Sequence, residues 1–333
     1  MSESLYPWLH AHWRQLAAYA EQQRIPQALI FSGRAELGQE ALALAFAHSL
    51  LCFAPQTGKA CGFCHACQLC DAGNHPDLLF LQPEEPSKLI GIDAVRRLVT
   101  RLALKPQYER QRVVIIQPAD ALNTAAANAF LKCLEEPTER TSFILLTRHA
   151  NRLPATIRSR CQQMHFLSPE PDIAIQWLRQ QGVKQAPERI LAIAQGSPVL
   201  ALQYAGQGME TLHMQMFNDW LNVIQHPAQV LEVAEQWQKQ SQVDIEVILT
   251  WMASWLTDLI KLSHSAEQKH LRHPDLQVRL QALLKPLNFR AVYAHYDLIN
   301  RSRQQLQTTL NKQLLLEKLL IEWSRINQGL TAW

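Results

Sequence analysis

Residues 113–161 constrain the fold of this chain more than any other stretch. Two short apolar runs, 113–116 and 143–147, flank a segment, 122–136, that is rich in Ala, Leu, Lys and Glu and is followed by Pro137. Such runs are typical of buried strands, and the middle segment favours a helix that Pro137 cannot continue. The stretch therefore predicts a βαβ unit with both strands buried in a parallel sheet.

The two positions after the first of these strands bear on the chemistry. A P-loop nucleotide hydrolase has an Asp there for its magnesium ion, usually followed by an acidic residue that activates water. This chain has Gln117 and Pro118 instead. A neutral amide and an imino acid neither hold magnesium firmly nor accept a proton, so the usual hydrolytic arrangement is excluded here.

A second strand–loop–helix pattern lies nearer the N-terminus. An apolar run at 28–31 leads to Gly33 and Gly38, which have the spacing of a phosphate-binding P-loop, and then to an Ala/Leu-rich helix. Gln39 stands where that motif has Lys, and Glu40 stands where it has Ser or Thr. The missing ammonium and the added carboxylate both disfavour a triphosphate. We interpret the pattern as a P-loop scaffold that has lost its ligand; a simple βα turn that never bound nucleotide is the alternative.

Other patterns extend this into an open α/β domain of about five strands. The Ala-rich helix of the βαβ unit is expected to be capped by Asn123 or Thr124. The remaining predicted helices are at 5–24 and 91–104, and the Ala/Leu-rich helix after Gly38 is expected to end at about residue 51. Further strands are predicted at 78–81 and 164–166.

A domain boundary is expected at 168–171, because two prolines in four residues interrupt helix and strand alike. With 333 residues, the chain is expected to form two or three domains. Beyond the boundary all signals are helical, and the Trp residues there fit helix–helix packing. We predict an α/β domain over 1–167, a small helical domain over 168–207 and an all-helical domain over 208–333.

Charge and hydropathy narrow the class of protein. The formal net charge of +3 is too small to indicate a dedicated nucleic-acid binder. Residues 1–24 have an amphipathic pattern with His, Arg and Glu rather than that of a signal peptide, and the most apolar stretch, 247–257, is too short to cross a bilayer. We expect a soluble, cytoplasmic protein without membrane contact.

Five of the seven cysteines lie between residues 52 and 70, which indicates a metal site rather than disulfides. Cys61, Cys64 and Cys67 form a tight loop, and zinc takes four thiolates in a tetrahedron. Either Cys52 or Cys70 would complete the set. Cys52 ends the preceding helix and would pin the insertion against the domain, whereas Cys70 lies one turn beyond Cys67.

Zinc and an iron–sulfur cluster are the competing interpretations of these cysteines. The ferredoxin pattern has a longer last gap followed by Pro, whereas Cys70 is followed by Asp71, so we favour zinc. No grouping of His and Glu supplies a catalytic base nearby, so the predicted role is structural. His65 and His75 are alternative ligands.

Residues 128–137, the strand after them and the Ser-Arg-Cys motif at 159–161 resemble the AAA+ clamp-loader subunits of replicative DNA polymerases. The cysteine insertion is similar to that of the bacterial members. The altered positions at 33–40 and 117–118 narrow the resemblance to a DNA polymerase III subunit without its own ATP site. The resemblance follows the whole chain in order, most specifically over 28–165.

This resemblance implies an AAA+ core with a P-loop-like, parallel five-stranded sheet and a zinc module at about 52–70, followed by a small helical lid and an all-α C-terminal collar. The resemblance implies that this chain binds no nucleotide. Family members that bind nucleotide have a sensing Arg shortly after a Gly-Ser pair, whereas here the pair at 196–197 is followed by Pro and Val. Cys70 is left unassigned. In this family the zinc ligands fall at the positions of Cys52, Cys61, Cys64 and Cys67.

The resemblance also gives Arg160 a specific role. In this family the Arg of the motif projects toward ATP on the neighbouring subunit, where its guanidinium stabilises charge on the transferring phosphoryl group. The alternative is a surface Arg paired with a local carboxylate. Arg158 is close enough to share the role, and Arg148 and Arg152 are candidate contacts to DNA phosphates.

Three functions follow from these patterns. The leading one is a non-hydrolysing clamp-loader subunit, no enzyme on its own but part of a polymerase holoenzyme, that helps load the sliding clamp onto primed DNA. Its implied partners are the gamma/tau ATPase subunit, the delta subunit, the sliding clamp indirectly, and primer-template DNA through the assembled complex. The alternatives are an active ATPase of the same fold and a stand-alone zinc-dependent DNA-binding module.

Overall fold

The chain folds into two compact units, the first made of Met1–Trp177 with Ser197–Leu200 and the second of Leu178–Gly196 with Ala201–Trp333. The finer division at 167 and 207 stays a prediction. The computed structural model describes residues 5–34, 36–85, 88–108, 110–136, 138–264, 267, 270–285, 287–306 and 311–326.

A parallel sheet forms the centre of the first unit. Its strands are β1 (Ala28–Gly33), β2 (Leu78–Leu81), β3 (Arg112–Ile116), β4 (Thr141–Thr147) and β5 (Gln162–Phe166). They lie in the order β2-β3-β4-β1-β5, and every neighbouring pair is parallel. All residues of β3 and β4 are buried, as expected for strands inside a parallel sheet. The predicted βαβ unit is confirmed.

Helices cover both faces of this sheet. They are α1 (His10–Glu21), α2 (Gln39–Leu51), α3 (His65–Asp71), α4 (Ile92–Leu102), α5 (Thr124–Glu135) and α6 (Ala155–Arg158). The cap of α5 is Asn123, whose side-chain oxygen accepts a hydrogen bond from the N–H of Ala126 at 2.8 Å. Pro137, the predicted end of this helix, lies outside the described residues, and so does Ala35 of the predicted phosphate loop.

Two hydrophobic cores result from the alternation of side chains along the strands. On one face of the sheet, Ile30 of β1 and the strand residues that point the same way pack with α4, α5 and α6. Phe130 of α5 is fully buried in this core. On the opposite face, Phe31 of β1 and the strand residues that point the same way pack with α1 and α2, and Phe46 of α2 is fully buried there. The sheet is therefore held between two helical layers, and its strand ends are fixed relative to each other.

The rest of the chain is helical where the structure describes it. Its helices are α7 (Pro171–Gln180), α8 (Pro187–Ile193), α9 (Pro198–Gly206), α10 (Met209–Gln225), α11 (Val230–Lys239), α12 (Ile245–Ser263), α13 (Gln277–Leu283), α14 (Phe289–Gln305) and α15 (Lys312–Ile326). Four tryptophans of the second unit are fully buried, which confirms their predicted packing role: Trp220, Trp251, Trp255 and Trp323. None of the described helices has the length and apolarity needed to cross a membrane.

A buried histidine makes the stability of the second unit depend on pH. His295 of α14 is 3% exposed, neither ring nitrogen has a partner among the described residues, and burial lowers its pKa to about 4. Between pH 6.5 and about 4 the unfolded chain therefore binds more protons than the folded chain, so stability falls as the pH falls. At pH 5 this histidine alone is expected to cost about 2 kcal/mol relative to pH 8.

Urea unfolding of the wild type and of His295→Phe at pH 8 and pH 5 measures this contribution. The loss of unfolding free energy between the two pH values should be about 2 kcal/mol smaller in the variant. His226→Ala, at an exposed histidine of the same unit, should leave the loss as in the wild type. Equal losses in His295→Phe and the wild type would contradict the argument.

Candidate functional site

The loop between β1 and α2 is covered by side chains from the start of the chain. Gly38 precedes α2 with a φ of +90°, and a Cβ there would lie 2.4 Å from the ring of Tyr6, so only glycine fits. The indole N–H of Trp8 donates a hydrogen bond to the carbonyl of Leu37 at 2.8 Å. Tyr6 and Trp8 thus lie directly against the loop that corresponds to the phosphate loop of a P-loop protein.

Further contacts hold this cover in place. The rings of Tyr6 and Trp8 are stacked at 5.1 Å, and the edge of Trp177 meets both, at 5.5 and 5.2 Å. On another side of the loop, the hydroxyl of Ser197 donates to the carbonyl of Glu36 at 2.5 Å. The sequence analysis missed these residues, because an aromatic pair near the N-terminus carries no pattern that places it on a distant loop.

The altered positions of the P-loop pattern contact one another or the loop. The amide of Gln39 donates to the carbonyl of Arg34 at 2.5 Å. The amide of Gln117, which follows β3, donates to the carboxylate of Glu40 at 2.9 Å. The two positions that would share a magnesium ion in a P-loop hydrolase are therefore joined by a hydrogen bond between side chains.

Arg160 lies on the surface, on a backbone that is fixed from both sides. The neighbouring Ile157 and Cys161 are buried in the core beneath it. Its guanidinium forms an ion pair with the carboxylate of Glu135 at 2.8 Å and donates to the carbonyl of Thr156 at 3.0 Å. The side chain of Arg160 remains 40% exposed. In the single chain, then, the predicted finger residue is paired with a local carboxylate and is open to solvent.

The other candidate arginines have different surroundings. Arg158 is half-buried, and its Nε atom has no partner among the described residues. Arg148 is 54% exposed and lies 3.9 Å from the carboxylate of Glu36. Arg152 is exposed at the end of a short 3-10 turn. The proposed contacts of Arg148 and Arg152 with DNA phosphates stay a prediction.

Four thiols converge at the end of α2 and the start of α3. The sulfurs of Cys52, Cys61, Cys64 and Cys67 all lie within 4.8 Å of one another, with pairs at 3.5, 3.8 and 3.9 Å. A tetrahedral ion with metal–sulfur bonds of about 2.3 Å separates its ligands by about 3.8 Å, whereas a disulfide needs about 2 Å. All four are free thiols. The arrangement fits one metal ion.

Backbone N–H groups point at these sulfurs, as they do around bound thiolates. The N–H of Cys61 donates to the sulfur of Cys52 at 3.2 Å, and that of Cys64 to the sulfur of Cys61 at 3.4 Å. Burial acts to raise the pKa of Cys64, but the N–H groups of Phe53 and Cys67 and the neighbouring thiols outweigh it and lower the pKa to about 6. The N–H of Phe63 lowers the pKa of Cys61 as well, whereas burial raises the pKa of Cys52 and of Cys67. The fit to a cation therefore rests on the convergence of the four sulfurs.

Cys70 is outside this group. It is buried in the core with α2, and burial raises its pKa to about 12. His65 and His75 do not join the cluster either; both rings pack near Tyr108, at 6.3 and 5.6 Å. Of the two candidates left open by the cysteine spacing, the structure brings Cys52 to the other three.

The comparisons with known proteins agree with this architecture. Family models described as "DNA polymerase III, delta subunit" and "DNA polymerase III, delta subunit, C terminal" match residues 8–170 and 207–325. The delta' subunit of DNA polymerase III from Pseudomonas aeruginosa is 34% identical, covering 97% of this chain and 98% of its own length. The Escherichia coli delta' subunit is 35% identical over 95% of this chain and 94% of its own length.

A solved structure supports the fold. The gamma subunit-related protein of DNA polymerase III from Thermotoga maritima has a TM-score of 0.50 at 16% identity, covering 95% of this chain and 99% of that one. This likeness supports the fold, with its sheet order and the strand–loop–helix at Gly38, and the two family models define the class as a DNA polymerase III subunit. Within that class, the near full-length similarity is decisive: the chain belongs to the delta' subunits of DNA polymerase III.

Proposed function

We propose that this chain is a clamp-loader subunit that neither binds nor hydrolyses ATP and instead acts on the ATP site of a neighbouring subunit. The hydrogen bond between Gln117 and Glu40, at 2.9 Å, is the observation on which the first half of this proposal depends. A magnesium ion needs oxygen ligands that are free to turn toward it, and here the available carboxylate is engaged by an amide.

The cover over the loop supports the same conclusion. Phosphates bind to a P-loop because its backbone N–H groups and its lysine face open space. In this chain Tyr6 lies against Gly38, and Gln39 replaces the lysine. Nucleotide binding would require displacement of an aromatic ring without gaining the ammonium that normally compensates the phosphate charge.

The second half of the proposal concerns Arg160. Its exposed guanidinium, on a backbone fixed by Ile157 and Cys161, is suited to reach ATP held by a neighbour, which we identify as the gamma/tau ATPase subunit. A guanidinium delivered from outside stabilises charge on the transferring phosphoryl group. The assembled complex, with the delta subunit, would load the sliding clamp onto primed DNA. We place this action in the cytoplasm, where a bacterial chromosome is replicated.

For the thiol cluster we propose zinc, held by Cys52, Cys61, Cys64 and Cys67. Four thiolates select zinc or iron–sulfur clusters, and a set that fits one tetrahedral ion favours zinc. Bound zinc supplies a closed site without redox chemistry. Since Cys52 ends α2 and Cys67 belongs to α3, the ion would tie these two helices together.

Equilibrium dialysis with radiolabelled ATP and magnesium tests the lack of nucleotide binding. The isolated chain should retain no ATP at micromolar concentrations, whereas the gamma/tau subunit, measured in parallel, should retain it. Stoichiometric retention of ATP by this chain would overturn the first half of the proposal and revive an active ATPase of the same fold.

A further inference from the structure

Glu135 occupies a position that helix stability alone does not explain. It is the last residue of α5, and the C-terminal end of a helix carries partial negative charge that disfavours a carboxylate. A second carboxylate, Glu136, follows directly. Lys132 in the last turn of α5 offsets part of this charge, and Arg160 pairs with Glu135 directly, its guanidinium 2.8 Å from the carboxylate. Of these two carboxylates, only that of Glu135 pairs with Arg160.

The contacts of Arg160 fix the orientation of its guanidinium and leave some of its N–H groups without a bond to the described residues of this chain. One terminal nitrogen pairs with Glu135 and the other donates to the carbonyl of Thr156 in α6. These two acceptors belong to different helices that pack against each other. A planar guanidinium has several further N–H groups, and with 40% of the side chain exposed they remain available to an incoming phosphate.

We propose that Glu135 is a positioning residue: it orients Arg160 for the ATP of the neighbouring subunit. This inference rests on the proposed role of Arg160 and deepens it. An arginine on a free side chain samples many rotamers, and misplacement by about 1 Å can cost as much as a hundredfold in rate. A charge-assisted hydrogen bond of 2.8 Å selects one orientation before the neighbour's ATP arrives.

The test uses a reconstituted loader in which only the ATP site next to this chain keeps its P-loop lysine. Glu135→Gln keeps the shape of the side chain but removes its charge. It should lower the single-turnover rate of ATP hydrolysis at that site about tenfold and leave the KM for ATP unchanged. Glu136→Gln, the adjacent carboxylate, serves as the matched control and should leave the rate at the wild-type value.

The double variant separates positioning from other effects. If Glu135 acts through Arg160, adding Glu135→Gln to Arg160→Ala should cause no further loss. A further tenfold loss in that background would overturn the inference, and so would an unchanged rate in Glu135→Gln alone when Arg160→Ala is slow. An unchanged rate in Arg160→Ala would instead overturn the finger role itself. Circular dichroism of each variant confirms that the fold is kept.

Discussion

Arg160→Ala is expected to lower ATP hydrolysis at the neighbouring site by a factor of about a thousand or more. The reason is that the developing charge on the transferring phosphoryl group would lose the cation delivered from this chain. In the single chain the side chain of Arg160 hydrogen-bonds, among the described residues, to Glu135 and to the carbonyl of Thr156, which are both exposed, so its removal leaves no buried group unpaired. Single-turnover hydrolysis in a loader with one active ATP site is the direct measurement.

A matched variant distinguishes this role from a general effect of losing a surface arginine. Arg179 also forms an ion pair of 2.8 Å with an exposed glutamate, Glu188, and Arg179→Ala should leave the rate unchanged. Gel filtration of both variants checks that the loader still assembles. If an assembled loader with Arg160→Ala hydrolysed ATP at the wild-type rate, Arg160 would not act as an arginine finger. Its contact with Glu135 would then be an ordinary surface ion pair.

The elements of the AAA+ core could be predicted because each has a strong local signal. The strand Leu78–Leu81 coincides with its apolar run, and Asn123 caps α5 as its residue type suggests. Short buried runs between Gly, Pro and Asn leave little choice of structure. The sheet order was not predicted, since periodicity alone does not say which strands are neighbours.

The contacts across the fold had no such signal. Gln117 and Glu40 are 77 positions apart and meet only because β3 ends, and α2 begins, at the same edge of the sheet. Asp77 and Arg112, both nearly fully buried, form an ion pair whose members look like ordinary surface residues in the sequence. Cysteine spacing alone left Cys52 and Cys70 as alternatives; the resemblance favoured Cys52, and the structure brings its sulfur, at the end of α2, to the other three.

Cys64→Ser is expected to abolish metal binding, lowering the content from one zinc ion per chain to none. Three thiolates and a hydroxyl hold zinc far less tightly than four thiolates, and the sulfur of Cys64 is 3.5 Å from that of Cys67 and 3.8 Å from that of Cys52. Because the folded chain would no longer be stabilised by the ion, unfolding should become easier by about 4 kcal/mol when free zinc is a thousand times its Kd. Mass spectrometry for metals after dialysis, followed by urea unfolding, measures both quantities.

Cys70→Ala tests whether the loss of zinc is specific to the four clustered cysteines or follows from removing any thiol of the zinc module. Cys70 is buried beside α2, carries a raised pKa and stands apart from the four sulfurs, so its variant should keep one zinc per chain. Loss of zinc in Cys70→Ala, or full retention in Cys64→Ser, would show that the ligand set is wrong. Visible absorption bands of an iron–sulfur cluster in the purified wild type would show that the metal is wrong, because zinc has no such transitions.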